Sequence, residues 1–246
     1  MNVYGLIGQT LHHSFSRRYF SEKFRSEHLL DSQYRNFELK DLGKEIPQLK
    51  SDPEIKGLNV TIPYKTEIIP FLNEMSSECR QINACNCIKT GSGKWIGYNT
   101  DVIGFERSFT PFLKPFQQKA LILGTGGASN AVAFVLKKLN IDFVKVSRKE
   151  KGESSHQISY NDLSEQTMQE FQIVINTTPL GTFPNVNECP DLPYEFITER
   201  HYFFDLIYNP SKSLFLSLAE KHGAFIENGD KMLMIQAEES WRIWNE

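Results

Sequence analysis

The chain has 246 residues, 40% of them hydrophobic and 23% charged, with a formal net charge of -3. That balance describes an ordinary globular protein of one large or two modest domains, with enough apolar material to build real cores. It excludes a basic nucleic-acid surface, and no apolar run reaches the roughly 20 residues of a membrane span.

The first residues, Met1-Asn-Val-Tyr-Gly-Leu-Ile7, carry neither a basic leader nor a long apolar stretch, so they read as a first strand and predict a cytoplasmic protein. Apolar runs at 3–7, 34–39, 57–62 and 85–89 alternate with polar helical stretches at 16–30 and 41–49, which predicts a small α/β unit over residues 1–104. Residues 105–116 are amphipathic and punctuated by Pro111 and Pro115, and they read as a connector into a second unit. There a strand at 119–123 enters a glycine turn, a helix follows at 129–139 and a strand at 142–146, the order of a βαβ unit. Further strands at 171–175, 202–206 and 224–227 extend a parallel sheet, and 229–241 reads as a last helix. Cys79, Cys85, Cys87 and Cys189 lack zinc-site spacing and read as free, mostly packed thiols, with no metal site expected.

Within the first unit, Asn59-Val-Thr-Ile-Pro-Tyr-Lys65 places Asn59 and Thr61 on one strand face. Pro63 suits the first position of a helix, which would put Lys65 in a first turn where the helix dipole disfavours a cation and eases loss of its charge. Ser14 and Ser16 could offer two hydroxyls to a carboxylate, or one of them could simply cap the following helix. His12 and His13, without partner spacing, read as ordinary loop or surface histidines. Asn86, Asn99, Asp101 and Gln236 add polar groups that could equally be satisfied structural ones. A lysine and an aspartate within hydrogen-bond reach would form a proton-transfer pair.

In the second unit Gly124-Thr-Gly126-Gly127-Ala128, with Ser129 in the third glycine position, is a variant of the dinucleotide fingerprint. Glycine there lets a pyrophosphate approach the amides at a helix N-terminus, although a glycine-rich turn elsewhere is only a loop. The next strand ends at Ser147, Arg148 and Lys149, cations that suit a 2′-phosphate and favour NADP over NAD; the alternative is a solvated basic strand end. Asn176, Thr177 and Thr178 follow a strand and would lie at the carboxyl edge of the sheet, as would Leu206 and Tyr208, or they form ordinary turns.

Taken together and in this order, these residues resemble the shikimate dehydrogenase family over nearly the whole chain. The matching motifs are Ser14-Phe-Ser16, Asn59 through Lys65, Ala84-Cys-Asn86, Asn99-Thr-Asp101, Gly124 through Ala128, Asn176-Thr-Thr-Pro-Leu-Gly181, Asp205-Leu-Ile-Tyr208-Asn-Pro210, and Gly229 through Gln236-Ala237. The resemblance implies an α/β fold of two lobes: an N-terminal substrate-binding domain (1–104, completed by the C-terminal helix 229–246 packing back on it) and a Rossmann-like parallel-sheet NADP-binding domain (105–228). It implies NADPH-dependent, reversible reduction of 3-dehydroshikimate to shikimate in a cleft between the lobes, in a monomer or homodimer. Lys65 would be the acid/base and Asp101 its partner. Ser14 and Ser16 would bind the carboxylate, and Thr61, Asn86, Tyr208, Gln236 and Asn59 the ring hydroxyls. Leu206 and Gly229 would lie near the nicotinamide. The chain departs from the family pattern at Thr10 and Arg17, where proline is usual, at Ser147 and Lys149 around the arginine, and at Cys87, where threonine is usual. Rival readings are a quinate dehydrogenase using NAD, a non-enzymatic NADP-binding sensor, and a folate-linked dehydrogenase of similar plan.

Overall fold

Val3 and Ile7 face one side of the first strand and Tyr4 and Leu6 the other, and all four are buried, so this strand needs apolar cover on both faces. The computed structural model describes residues 1–11, 14–91, 93–148 and 157–246. It divides the chain into Met1–Thr100 with Ala237–Glu246, and Asp101–Gln236.

The first unit holds β1 (Asn2–Gly8), α1 (Phe15–Ser26), β2 (Ser32–Glu38), α2 (Leu42–Ser51), β3 (Ile55–Val60), β4 (Glu74–Met75), α3 (Ser77–Ile82), β5 (Cys87–Gly91) and β6 (Lys94–Tyr98). Its sheet runs β2-β1-β3-β5-β6-β4, with β2, β1 and β3 parallel and β5 antiparallel to both neighbours. Val3 and Ile7 pack with Leu42 and Ile46 of α2 and Cys79 of α3. Tyr4 and Leu6 pack on the opposite face with Phe20 and Phe24 of α1 and with Ala237, Ile243 and Trp244 near the C-terminus. Thus the end of the last helix does pack on the first unit, where the Trp244 indole N–H donates to the Ile88 carbonyl at 3.0 Å.

The second unit holds α4 (Asp101–Phe109), β7 (Lys119–Leu123), α5 (Gly127–Lys138), β8 (Asp142–Ser147), β9 (Gln157–Ser159), α6 (Glu165–Glu170), β10 (Ile173–Asn176), β11 (Tyr202–Asp205), α7 (Leu214–Lys221), β12 (Phe225–Glu227) and the first turns of α8 (Asp230–Asn245). All its strand pairs are parallel, in the order β12-β11-β10-β7-β8-β9. Counted within this unit, that is the doubly wound order in which the chain switches direction between its first and fourth strands, the point where such sheets bind ligands. Alternation along the strands sends Leu121, Leu123, Val174 and Phe203 to the core shared with α6 and α7. Tyr202 and Phe204 go the other way, onto Phe109 and Phe105 of α4.

The expected connector after Gly104 is therefore largely helix. Asp101 starts α4, Gly104 lies so close to the Met232 carbonyl that a Cβ would sit 2.7 Å from it, and Phe105 and Phe109 are fully buried. These contacts lie within the second unit, which runs from Asp101 to Gln236, whereas the sequence reading places the nucleotide-binding domain at 105–228. Helix α5 opens two residues before the sequence expectation because Gly126 takes the N-cap position. Among the described residues, no helix is long and apolar enough to cross a membrane, and no group of three His, Cys, Asp or Glu side chains could hold a metal ion.

Candidate active site

Lys65 is half-buried in a series of turns, and not in the first turn of a helix as its sequence suggests. A helix would give the Lys65 carbonyl to the N–H of Ile69. Instead that carbonyl accepts the Cys85 N–H at 2.7 Å, while the Ile69 N–H turns to the Thr66 carbonyl. Pro70 has no N–H to continue the pattern. No helix dipole therefore acts on Lys65, and its backbone is pinned to the Ala84-Cys-Asn86 segment.

Asn86 is 3% exposed and is clasped by Thr100. Its Oδ1 accepts the Thr100 N–H at 2.7 Å and its Nδ2 donates to Thr100 Oγ1 at 3.0 Å. A side-chain amide bonded in both directions to one residue has a fixed orientation. A hydrogen-bonded path therefore runs from the Lys65 carbonyl through Cys85 and Asn86 to Thr100, whose peptide continues into the buried Asp101 at the start of α4.

Ser14 is the N-cap of α1, its Oγ accepting the Arg17 N–H at 3.1 Å, so the capping alternative is realised for this serine. Ser16 is 9% exposed and reaches Tyr34, where its hydroxyl opposes the strong upward push that burial gives the phenol. Tyr34 donates to Asn59 Oδ1 at 2.7 Å, and Asn59 Nδ2 donates to Ser240 Oγ at 2.9 Å and to the Asn86 carbonyl at 3.3 Å. Both Asn59 amide hydrogens are thus engaged by the protein, which leaves one lone pair for anything else. Thr61 follows β3 and is half-buried, with its N–H on the Ile7 carbonyl. Cys87, where threonine was expected, is fully buried; burial pushes its thiol up to about 12, against the opposing effect of the Ser240 and Trp244 side chains beside it.

In the second unit the glycine turn and the Asn176 segment meet at the switch point. Gly124 has φ of 110°, a conformation that favours glycine, and a Cβ there would lie 2.9 Å from Thr177 Oγ1. The Thr177 N–H and Oγ1 both donate to the Leu123 carbonyl, at 3.0 and 2.6 Å. Gly126 has open space where a Cβ would be, and the first turn of α5 carries no acidic residue that would repel an anion at its amides. Ser129 is buried with its hydroxyl on the Gly126 carbonyl at 2.7 Å, and Gly127 and Ala128 begin α5. These features fit a pyrophosphate. Ser147 ends β8, Arg148 beyond it is exposed, and Lys149 lies outside the described residues, as do His12 and His13.

Asn176 Nδ2 donates to the buried Asp205 at 3.0 Å, and its Oδ1 holds the Thr178 N–H and hydroxyl. The Leu206 N–H donates to the Asn176 carbonyl. Gly229 sits where a Cβ would overlap the Leu206 carbonyl, which explains a glycine at that position. Tyr208 is half-buried, and Gln236 is 8% exposed with its Nε2 on the Leu233 carbonyl.

A lysine segment tied to an Asn-Thr clasp in one unit, and a glycine turn at the switch point of a doubly wound sheet in the other, can be compared with known proteins. Residues 6–88 match the family described as shikimate dehydrogenase substrate binding domain. The NADP(+) shikimate dehydrogenase of Caldicellulosiruptor bescii is 37% identical over 97% of this chain and 88% of its own length. The chain belongs to the shikimate dehydrogenase family. A solved shikimate dehydrogenase in complex with NADP+ is 32% identical, with a TM-score of 0.85 over 99% of this chain and 90% of its own. The Thermus thermophilus shikimate dehydrogenase solved with NADP(H) and shikimate is 26% identical, with a TM-score of 0.85 over 99% of this chain and 93% of its own.

Three residues that organise the others, Thr100, Tyr34 and Ser240, carry no role in the motifs above. Thr100 lies inside the Asn99-Thr-Asp101 motif. Tyr34 gave no local signal. Ser240 lies four residues after Gln236, a spacing that puts two side chains on one helix face and could have singled it out.

Proposed function

We propose that this member of the family is an NADP-dependent shikimate dehydrogenase, reducing 3-dehydroshikimate to shikimate reversibly, with its thiols kept reduced in the cytoplasm. The observation that carries the residue assignments is the Asn86–Thr100 clasp, because it ties the segment bearing Lys65 to the residue that precedes Asp101.

The first unit, with the end of α8, binds the substrate. Ser14 and Ser16 donate hydroxyl hydrogens to the carboxylate. Asn86, Thr61, Tyr208 and Gln236 orient the ring hydroxyls, and Asn59 holds its neighbours in place with its one spare lone pair toward the ligand. Lys65 gives its proton to the C3 oxygen during reduction and takes it back in the reverse direction, with Asp101 assigned as its catalytic partner. The amides at the start of α5, in the turn Gly124 to Ala128, hold the pyrophosphate of NADP, and Arg148 takes the 2′-phosphate as a bidentate donor. Asn176, Thr177 and Thr178 shape the sheet edge beside that turn, and Leu206 and Gly229 would help hold the nicotinamide end of the cofactor. When bound, NADP supplies or accepts the hydride at C3.

Steady-state reduction of NADP+, then of NAD+, with shikimate and then quinate as substrate tests the reading. NADP+ turnover on shikimate is expected. Turnover on neither alcohol contradicts an enzymatic role, and a preference for quinate or NAD+ contradicts the stated substrate or cofactor.

A further inference from the structure

Ser240 is fully buried in α8, and the reaction described above assigns it nothing. Its Oγ accepts the Asn59 amide at 2.9 Å and lies 3.2 Å from Thr100 Oγ1. Asn59 is held on its other side by Tyr34, which Ser16 reaches, while Thr100 holds Asn86. One hydroxyl therefore joins two arms of a buried polar network: Tyr34-Asn59 on one side and Thr100-Asn86 on the other.

We propose that Ser240 is a positioning residue for substrate binding, setting through Asn59 and Thr100 the orientation of the groups at both ends of that network. The proposal rests on the substrate roles given to Asn59 and Asn86 above. The reasoning is one of hydrogen-bond supply. A serine offers one hydrogen and two lone pairs, so it can accept from an amide and pair with a second hydroxyl at once. If the hydroxyl is removed, Asn59 Nδ2 keeps only its longer bond to the Asn86 carbonyl, and Thr100 loses a partner. Buried donors left unpaired are costly, and members of a network loosen together. A turn of the Asn59 amide toward a new acceptor pulls its Oδ1 from Tyr34 and shifts the lone pair that Asn59 offers the substrate. The dinucleotide turn of the second unit shares none of these bonds, so the effect should fall on the sugar acid and spare the cofactor.

The test is steady-state kinetics of the full chain with shikimate and NADP+, comparing wild type, Ser240→Ala, Ser240→Cys and, as a packing control in the same helix, Ile243→Val. Ser240→Ala should raise the shikimate KM about tenfold while the NADP+ KM stays within about twofold and kcat within about threefold. Ser240→Cys, similar in size with a weaker hydrogen-bonding group, should fall between, and carries the test if the alanine variant does not fold. Ile243→Val should lower Tm and leave both KM values unchanged. A wild type inactive on shikimate overturns the functional reading and this proposal with it. An active wild type whose Ser240 variants keep the shikimate KM, or raise both KM values together, overturns this proposal alone.

Discussion

Asp205 ends β11 with no solvent exposure and accepts hydrogen bonds from Ser213 Oγ at 2.5 Å, Asn176 Nδ2 at 3.0 Å and the Ile207 N–H at 3.0 Å. Burial outweighs these donors and pushes the carboxyl from 3.8 up to about 7. An unfolded aspartate loses its proton near about pH 4, so between about pH 4 and that raised value the native state holds more protons than the unfolded one. The contribution to stability is therefore fully present below about pH 4 and is lost as pH rises through about 7. A gap of about 3 units at about 1.4 kcal/mol each makes that loss ~4 kcal/mol. Asp205→Asn removes the titration while Oδ1 keeps two of its donors; Ser213 must rotate to face the new amide, at a pH-independent cost of about 1 kcal/mol. Relative to wild type, the variant should thus gain ~4 kcal/mol between about pH 4 and pH 8. Urea unfolding of both proteins across that range measures it. A stability difference that stays constant with pH would refute the assignment of the raised carboxyl to Asp205.

Lys65→Ala should lower kcat by about a hundredfold to ten-thousandfold with the shikimate Kd little changed, as measured by turnover and calorimetry; near-wild-type turnover would remove Lys65 from proton transfer. Arg148→Ala should raise the NADP+ KM about tenfold or more and leave the NAD+ KM unaltered, since only the former carries the 2′-phosphate; equal effects on both would count against a phosphate contact. Trp244→Ala should cost about 3–5 kcal/mol in urea unfolding, because the indole packs on Tyr4 and Phe20 and caps the Ile88 carbonyl. A loss below about 1 kcal/mol would mean that this end of α8 contributes little to the first core.

Elements and their chemistry are legible wherever a short window of residues suffices. Strand 119–123, the glycine turn after it, the helix that follows and the polar strand ends at Asn176 and Asp205 all emerge from periodicity and turn residues, and the order of motifs pointed to the family. Partners, in contrast, depend on the folded chain. Lys65 leaves helical geometry because Cys85 captures its carbonyl from outside any local window, and residues 101–109 become helix because Phe105 and Phe109 find Tyr202 and Phe204. Asn59 and Ser240 stand 181 residues apart, and nothing near either one announces the bond between them. Propensity and alternation act over a turn or a strand. Which acceptor a buried amide finds depends on what the folded chain brings beside it, and the cost of leaving that amide unpaired makes the choice binding.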